Sequence, residues 1–238
     1  MAKTIFHAAG KRGHANHGWL DAHHSFSFAN WYDPAKVHFG MLRVLNDDIV
    51  EGGKGFGKHP HDNMEIITII LDGALEHKDS MGHTESIMPN EVQVMSAGTG
   101  VVHSEYNHNP DKKVNLLQTW IFPKVKNVKP RYDQKVFPQE ERINKLQALV
   151  SPIDNEDEGL KIHQDAWIYR TTLERGKIIT HTLHSQNHGA YIFVIDGKVT
   201  VGEQVLNKRD ALGISETDSF DIIASEQSDV VIFEVPMS

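Results

Sequence analysis

Short strand-like runs separated by turn residues occupy most of the chain. Residues 66–73 (IITIILDG) and 191–197 (YIFVIDG) are both rich in β-branched residues and end in Asp-Gly, a strong signal for a tight hairpin turn. A partly alternating run follows each of them, so the two halves resemble loose duplicates. Many short strands at this spacing predict an all-β jelly-roll barrel or another sandwich rather than βαβ units. We therefore predict two barrels in tandem.

A charged stretch that contains several prolines separates the two halves. Pro138 suits the first turn of a short helix in PQEERINKLQAL. Strand-like runs resume after this stretch. We predict an N-terminal domain at residues 1–125, a linker with a short helix at residues 126–146, and a C-terminal domain at residues 147–238.

Composition and charge exclude several classes of protein. The chain has 238 residues, of which 39% are hydrophobic and 24% charged, as in ordinary globular proteins. Its formal net charge of -8 disfavours direct binding to nucleic acid, which needs a basic surface. It has no cysteine, no secretory signal pattern and no run of 18 apolar residues. We expect a cytoplasmic protein that does not contact a membrane.

Two pairs of metal-ligand residues stand out among 16 histidines. His59 and His61 are two apart, and His103 and Glu105 are two apart, so each pair shares one face of a predicted strand. Glu65 continues the parity of the first pair. Three imidazoles and one carboxylate would suit Fe(II), Mn(II), Ni(II), Cu(II) or Zn(II) with positions left open. The spacing leaves Glu65 and Glu105 as alternative carboxylates.

The wider spacing is typical of cupins. Gly53-x5-His59-x-His61-x3-Glu65 fits the first cupin motif, and Gly100-x2-His103-x3-Asn107 fits the end of the second. The chain departs from the second motif at Glu91, where a glycine is expected after the proline. A single His-x-His pair is common on exposed strands, but two motifs in the correct order are a specific signal.

The chain resembles the pirin family of cupins over nearly its whole length. The segments that carry the resemblance are RGHANHGWLDAHHSFSFANWYDP, LRVLNDD, HPHDNMEI, MSAGTGVVHSEYN, LQTWIFP and GLKIHQDAWIYR. The resemblance implies a bicupin whose first domain alone binds metal. It also implies the ligand set His59, His61, His103 and Glu105, and we then expect Glu65 to orient a histidine or a water from outside that set.

The remaining histidines are assigned no metal. His181 and His184 are three apart and would face opposite sides of a strand, so we expect a second barrel without metal ligands. Four histidines near the start are predicted to form structural hydrogen bonds rather than to line the cavity. They are His14, His17, His23 and His24.

The resemblance extends to bacterial pirins of the quercetinase type. It implies one divalent ion, Fe(II) in the first instance, and a dioxygenase that cleaves flavonols such as quercetin with O2. Glu105 would accept the proton of the substrate hydroxyl. One alternative is a non-enzymatic regulator whose metal tunes binding to a transcription factor or another protein partner. Another is a metal that only stabilises the fold.

Overall fold

The computed structural model describes residues 2–238, which form 22 β-strands numbered here in chain order. Strands β1 to β11 are Lys3–His7, Gly13–Asn16, Leu20–His24, Leu42–Val50, Gly55–His61, Glu65–Asp72, Leu75–Asp79, Thr84–Ile87, Glu91–Ser96, Val101–Asn107 and Val114–Ile121. Strands β12 to β22 are Arg131–Val136, Gln147–Pro152, Leu160–Ile162, Trp167–Leu173, Ile178–Thr182, His188–Asp196, Val199–Val201, Gln204–Leu206, Ala211–Ser215, Ser219–Ala224 and Ser228–Pro236. Two 3-10 turns, Ala9–Lys11 and Gln139–Arg142, complete the regular structure.

The strands build two sandwiches with similar strand orders. In the first, the sheet β12-β9-β6-β11-β4-β3-β2 is accompanied by the sheet β5-β10-β7-β8. In the second, the sheets are β1-β20-β17-β22-β15-β13-β14 and β16-β21-β18-β19. The two orders correspond except at one edge, where β2 and β3 are antiparallel but β13 and β14 are parallel. The prediction of two tandem cupin jelly rolls is confirmed.

The two large sheets pack against each other through their outer faces. Ile67 and Ile69 of β6 share one apolar core with Tyr191 and Phe193 of β17. The alternate residues of the same strands point into their own sandwich. The second sandwich has one continuous apolar interior, whereas the first has two separate apolar clusters. Polar residues therefore occupy the middle of the first sandwich.

The two Asp-Gly pairs form turns, but the predicted hairpins are wrong. Gly73 has φ +82° and Gly197 has φ +85°, a conformation that favours glycine. However, β6 and β7 belong to different sheets, as do β17 and β18. Each turn carries the chain across its sandwich. A Cβ on Gly73 would lie 2.6 Å from the carbonyl oxygen of Lys113, so the close approach of this backbone segment also requires glycine there.

Two edge strands, β1 and β12, do not lie where their positions in the sequence suggest. Strand β1 pairs with β20 of the second sandwich, and β12 pairs with β9 of the first. The segment 126–146, predicted to be a linker with a short helix, therefore contributes a strand to the first sandwich. Its helical part is the four-residue 3-10 turn, and β13 begins five residues after it. The domain division itself remains a prediction.

Within the described part of the chain, no helix is long and apolar enough to cross a membrane.

Candidate metal centre

Two histidines of β5 form the first part of the candidate centre. The rings of His59 and His61 lie 4.9 Å apart between centroids. Nδ1 of His59 donates a 2.7 Å hydrogen bond to the carbonyl oxygen of Gly57. Since a carbonyl can only accept, neutral His59 keeps its lone pair on Nε2. This tautomer leaves Nε2 available as a metal ligand.

His103 contributes the third imidazole from β10. Strand β10 pairs antiparallel with β5, and His103 lies directly opposite His59. The ring of His103 is 4.3 Å from that of His59 and 4.9 Å from that of His61. One nitrogen from each ring lies within 4.8 Å of the other two. Three imidazoles at this separation can bind a single ion.

The surroundings of His103 indicate that a partner belongs there. Its side chain is only 1% exposed, and neither ring nitrogen has a hydrogen-bond partner among residues 2–238. Leaving a buried polar group unpaired costs about 1–3 kcal/mol. A metal ion bound to one of these nitrogens would remove part of that cost. The donor set therefore fits a divalent ion.

The local environment keeps the imidazoles of His61 and His103 neutral. Burial, with help from neighbouring His59, lowers the pKa of His61 to about 4. Burial and then the neighbouring histidines lower the pKa of His103 to about 2. At neutral pH both rings have a free lone pair, as metal binding requires.

Glu105 brings a carboxylate to His103, although its oxygen atoms are grouped with His77 and His103 rather than with His59 and His61. It follows His103 by two residues on β10 and is 3% exposed. Gln118 donates a hydrogen bond from Nε2 to Oε2 of Glu105 at 3.0 Å, and Thr68 makes a 3.5 Å contact with Oε1. Burial raises the pKa of Glu105 to about 7, although both contacts oppose this shift. Its carboxylate lies within 4.8 Å of ligand atoms of His77 and His103.

A further set of side chains lies next to His103 and Glu105. His77 is fully buried, and its Nε2 lies 3.1 Å from Oδ2 of Asp79. The same oxygen is 2.9 Å from Nδ1 of His83, and the ring of Tyr132 packs against both imidazoles. The motifs in the sequence did not predict this set of side chains. The spacing His77-x-Asp79, on a strand that follows the Asp-Gly turn, was the available signal.

Glu65 does not belong to the group, so the prediction that it orients a histidine or a water there is wrong. Its Oε2 accepts a 2.6 Å hydrogen bond from Oγ of Ser96. Asn63 has φ +44°, so the backbone turns between β5 and β6 and the parity counted from His59 is lost. Glu65 consequently lies on the outer face of β6, opposite to Thr68. Burial there raises its pKa to about 7.

A cavity of about 420 Å³ opens above His59, His61 and Glu105. Its walls are largely aromatic and come from four side chains: Trp19, Phe28, Phe56 and Trp120. None of the four N-terminal histidines lines it. His24 is buried behind it, where its Nδ1 lies 2.9 Å from Oδ1 of Asn46, in line with the predicted structural role. The cavity has the size and character of a small-molecule site.

Asp48 is an unexpected polar group in this cavity wall. It is 4% exposed, and its Oδ1 has no hydrogen-bond partner in the described chain. Burial, reinforced by the charges of Asp47 and Glu105, raises its pKa well above the ordinary value. A neutral carboxyl group at this position can donate a hydrogen bond to a bound molecule.

The second sandwich has apolar residues at the positions that correspond to His103 and Glu105. The Asp-Gly turns align Leu75 with Val199, and the strand registers then place Phe220 at the position of His103. Ile222 likewise replaces Glu105, and His181 remains at the position of His59. Both replacements are apolar and buried. This explains the continuous apolar interior of the second sandwich.

A buried carboxylate in the second sandwich is hydrogen-bonded to three histidines. Glu234 is fully buried and lies within 3.0 Å of a ring nitrogen of His181, His184 and His188. The expectation that His181 and His184 face opposite ways is wrong, because β16 ends at Thr182 and His184 lies in the following loop. These hydrogen bonds hold the pKa of Glu234 well below its usual value against the opposing effect of burial.

Comparisons with known proteins agree with this architecture. Residues 5–121 match the family model described as Pirin, and residues 148–235 match one described as Quercetinase C-terminal cupin domain. The chain is 43% identical over 228 residues to a quercetin 2,3-dioxygenase of Escherichia coli, covering 96% of each chain. It is 40% identical over 224 residues to a pirin-like protein of Caulobacter vibrioides, covering 94% of this chain and 96% of the relative.

A solved structure is similar over the same length. The bacterial pirin YhhW of Escherichia coli, in complex with nickel(II), superposes with a TM-score of 0.93 at 42% identity. The match covers 99% of this chain and 100% of that protein. The likeness therefore spans both sandwiches.

Proposed function

The chain belongs to the pirin family of cupins, and on that premise we propose that it is a metal-dependent dioxygenase able to cleave flavonols such as quercetin. Dioxygen would be the second substrate. The observation that carries the proposal is the aromatic cavity above His59, His61 and Glu105. It would admit a planar aromatic molecule directly to the open side of the donor set.

In this proposal one divalent ion is held by four side chains of the first sandwich: His59, His61, His103 and Glu105. Iron(II) is the proposed ion, although Zn(II), Ni(II), Mn(II) and Cu(II) accept the same donors. The nickel complex of the related Escherichia coli pirin supports the choice of a first-row metal. Such an ion would act as a Lewis acid and lower the pKa of a bound substrate hydroxyl.

Protein side chains supply the remaining functions. Glu105 would accept the proton of the substrate hydroxyl, because its carboxylate lines the cavity and is buried away from water. Gln118 holds that carboxylate in place. The wall formed by Trp19, Phe28 and Trp120 would stack against the substrate rings and exclude water from the electron-rich enolate.

Oxygen uptake tests the proposal. Protein loaded anaerobically with Fe(II) is mixed with quercetin and oxygen, beside the His59→Ala variant. We expect uptake that requires both the metal and the flavonol and that is lost in the variant. A fully metallated protein that consumes no oxygen would contradict the dioxygenase proposal and favour the regulatory alternative, in which the metal tunes binding to a protein partner.

A further inference from the structure

A second group of metal-ligand side chains lies on the hairpin of β2 and β3. His14 of β2 is paired directly with His23 of β3, and Asn16 is paired with Asp21. Residues that face each other across an antiparallel pair lie on the same side of the sheet, and so do residues two apart on one strand. His14, Asp21 and His23 therefore project from one face.

The three side chains are close enough to share one ion. Nε2 of His14 lies 2.6 Å from Oδ1 of Asp21, and the rings of His14 and His23 are 4.5 Å apart. One ligand atom from each of the three residues lies within 4.8 Å of the other two. The set contains two imidazole nitrogens and one carboxylate oxygen.

The hairpin holds these residues on a fixed backbone. Oδ1 of Asn16 accepts a hydrogen bond from the amide of Gly18, and the amide of His17 donates to the carbonyl of Leu20. Leu20 and Ala22 are buried in the first sandwich, and β3 also pairs with β4. The alternation of β3 therefore fixes Asp21 and His23 on its outer face.

This outer face is separate from the candidate centre. His24, the neighbour of His23, points inward and contacts Asn46 of the aromatic cavity wall. The side chain of His14 is 53% exposed and that of Asp21 is 40% exposed. An ion can therefore reach the three residues without passing through the cavity or opening the fold.

We propose that His14, Asp21 and His23 form a second binding site, for a first-row divalent transition-metal ion such as Zn(II) or Ni(II). Imidazole nitrogen together with carboxylate suits these ions, whereas Ca(II) and Mg(II) prefer all-oxygen sites. Water fills the remaining positions, because three protein ligands leave at least one open. The site is independent of the proposed dioxygenase activity.

The site lies next to the junction of the two sandwiches. His23 is paired with Asp47 of β4, and Oδ2 of Asp47 is 3.1 Å from Nη1 of Arg12. The same oxygen is 3.5 Å from Nε of Arg209, a residue of the second sandwich. An ion at the hairpin therefore adds positive charge beside the carboxylate that links the two sandwiches.

The test counts Zn(II) ions by equilibrium dialysis of the chelator-treated full chain. We expect two equivalents in the wild type and one in His23→Ala. The double variant His59→Ala/His61→Ala should also bind one equivalent, and the triple variant none. His17→Ala is the matched control, because His17 lies in the same hairpin but outside the group, and it should keep both equivalents.

Two outcomes would overturn the proposal. One is a wild-type protein that binds a single equivalent, which His59→Ala/His61→Ala removes. The other is a second equivalent that persists in both His23→Ala and His14→Ala. Far-ultraviolet circular dichroism on each variant shows whether the fold is retained, and His14→Ala provides a second test if His23→Ala does not fold. Because the readout is stoichiometry, a failure of the dioxygenase assay does not affect it.

Discussion

Gln118 donates a 3.0 Å hydrogen bond from Nε2 to Oε2 of Glu105 across the interior of the first sandwich. Gln118 lies on β11 of the large sheet and Glu105 on β10 of the small sheet. This bond therefore connects the two sheets at the level of the histidines. It also favours the ionised carboxylate, which is the form that binds a metal.

Replacing Gln118 by leucine should weaken metal binding at the candidate centre. Without the donor, Glu105 is less well oriented and holds its proton more tightly. We expect the affinity for Zn(II) to fall by about 10–100-fold, as is typical when a supporting hydrogen bond is removed. Competition with a chromophoric chelator measures it. Thr68→Val removes the 3.5 Å contact with Glu105 and the 3.2 Å hydrogen bond to Oε1 of Gln118, but it leaves the Gln118 donor in place, so it should have a smaller effect; equal losses would contradict this view.

The ligand assignment predicts which histidines retain the metal. His59→Ala and His103→Ala should each remove the ion of the first sandwich, whereas His184→Ala should keep it. Elemental analysis in a His23→Ala background measures this ion without a contribution from the hairpin. If His184→Ala were the only one of these variants to lose the metal, the centre would have to lie in the second sandwich, and the assignment would be wrong.

Glu65 predicts a pH dependence of stability. Its pKa is about 7 in the folded chain, compared with 4.5 in the unfolded reference, because the carboxyl group is buried. Below pH 4.5 it is protonated in both states, and between pH 4.5 and 7 only the unfolded chain releases the proton. The free energy of unfolding should therefore fall as pH rises, by about 3 kcal/mol over the full range.

Glu65→Gln isolates this contribution, because the amide keeps an acceptor for Ser96 but does not ionise. Relative to the wild type, the variant should gain stability between pH 4.5 and 8, as measured by urea denaturation of the metal-free protein. A difference that does not change with pH would show that Glu65 is ionised in the folded chain at a normal pKa.

Asp48 predicts a trade-off between stability and activity. Asp48→Leu removes an unpaired buried group, so the free energy of unfolding should rise by about 1–3 kcal/mol. The same change removes the donor that we expect to contact the substrate, and kcat/KM for quercetin should fall by about tenfold. Asp48→Asn keeps a donor and should stay within about threefold of wild type. Equal activity in the leucine and asparagine variants would contradict a contact with the substrate.

Much of the fold could be predicted because strand patterns are local. Runs such as residues 66–73 determine where strands form, and their repetition in the second half predicts the duplication. The pairing of strands is not local. The Asp-Gly signal at residues 72–73 predicts a hairpin, yet the turn joins two sheets, because β6 pairs with β9 and β11 instead.

The candidate site shows the same limit. Spacing by two predicts a shared face only while the strand continues, so His59 and His61 lie together but Glu65 does not. His77 and Gln118 reach the site from β7 and β11, and spacing by two does not link either of them to His103. Their roles depend on strand register, which only the folded chain reveals.

The pairing of β1 with the second sandwich and of β12 with the first affects the order in which the two sandwiches can fold. Strand β12 completes the first sandwich once residue 136 has been made, whereas β1 pairs with β20, about 200 residues further along the chain. The first sandwich can thus fold during synthesis while Lys3–His7 still lacks its partner. Such long-range pairing is slow, since a large loop must close before the contacts form. The second sandwich is therefore completed last, when β20 pairs with a strand that was synthesised before the whole of the first sandwich.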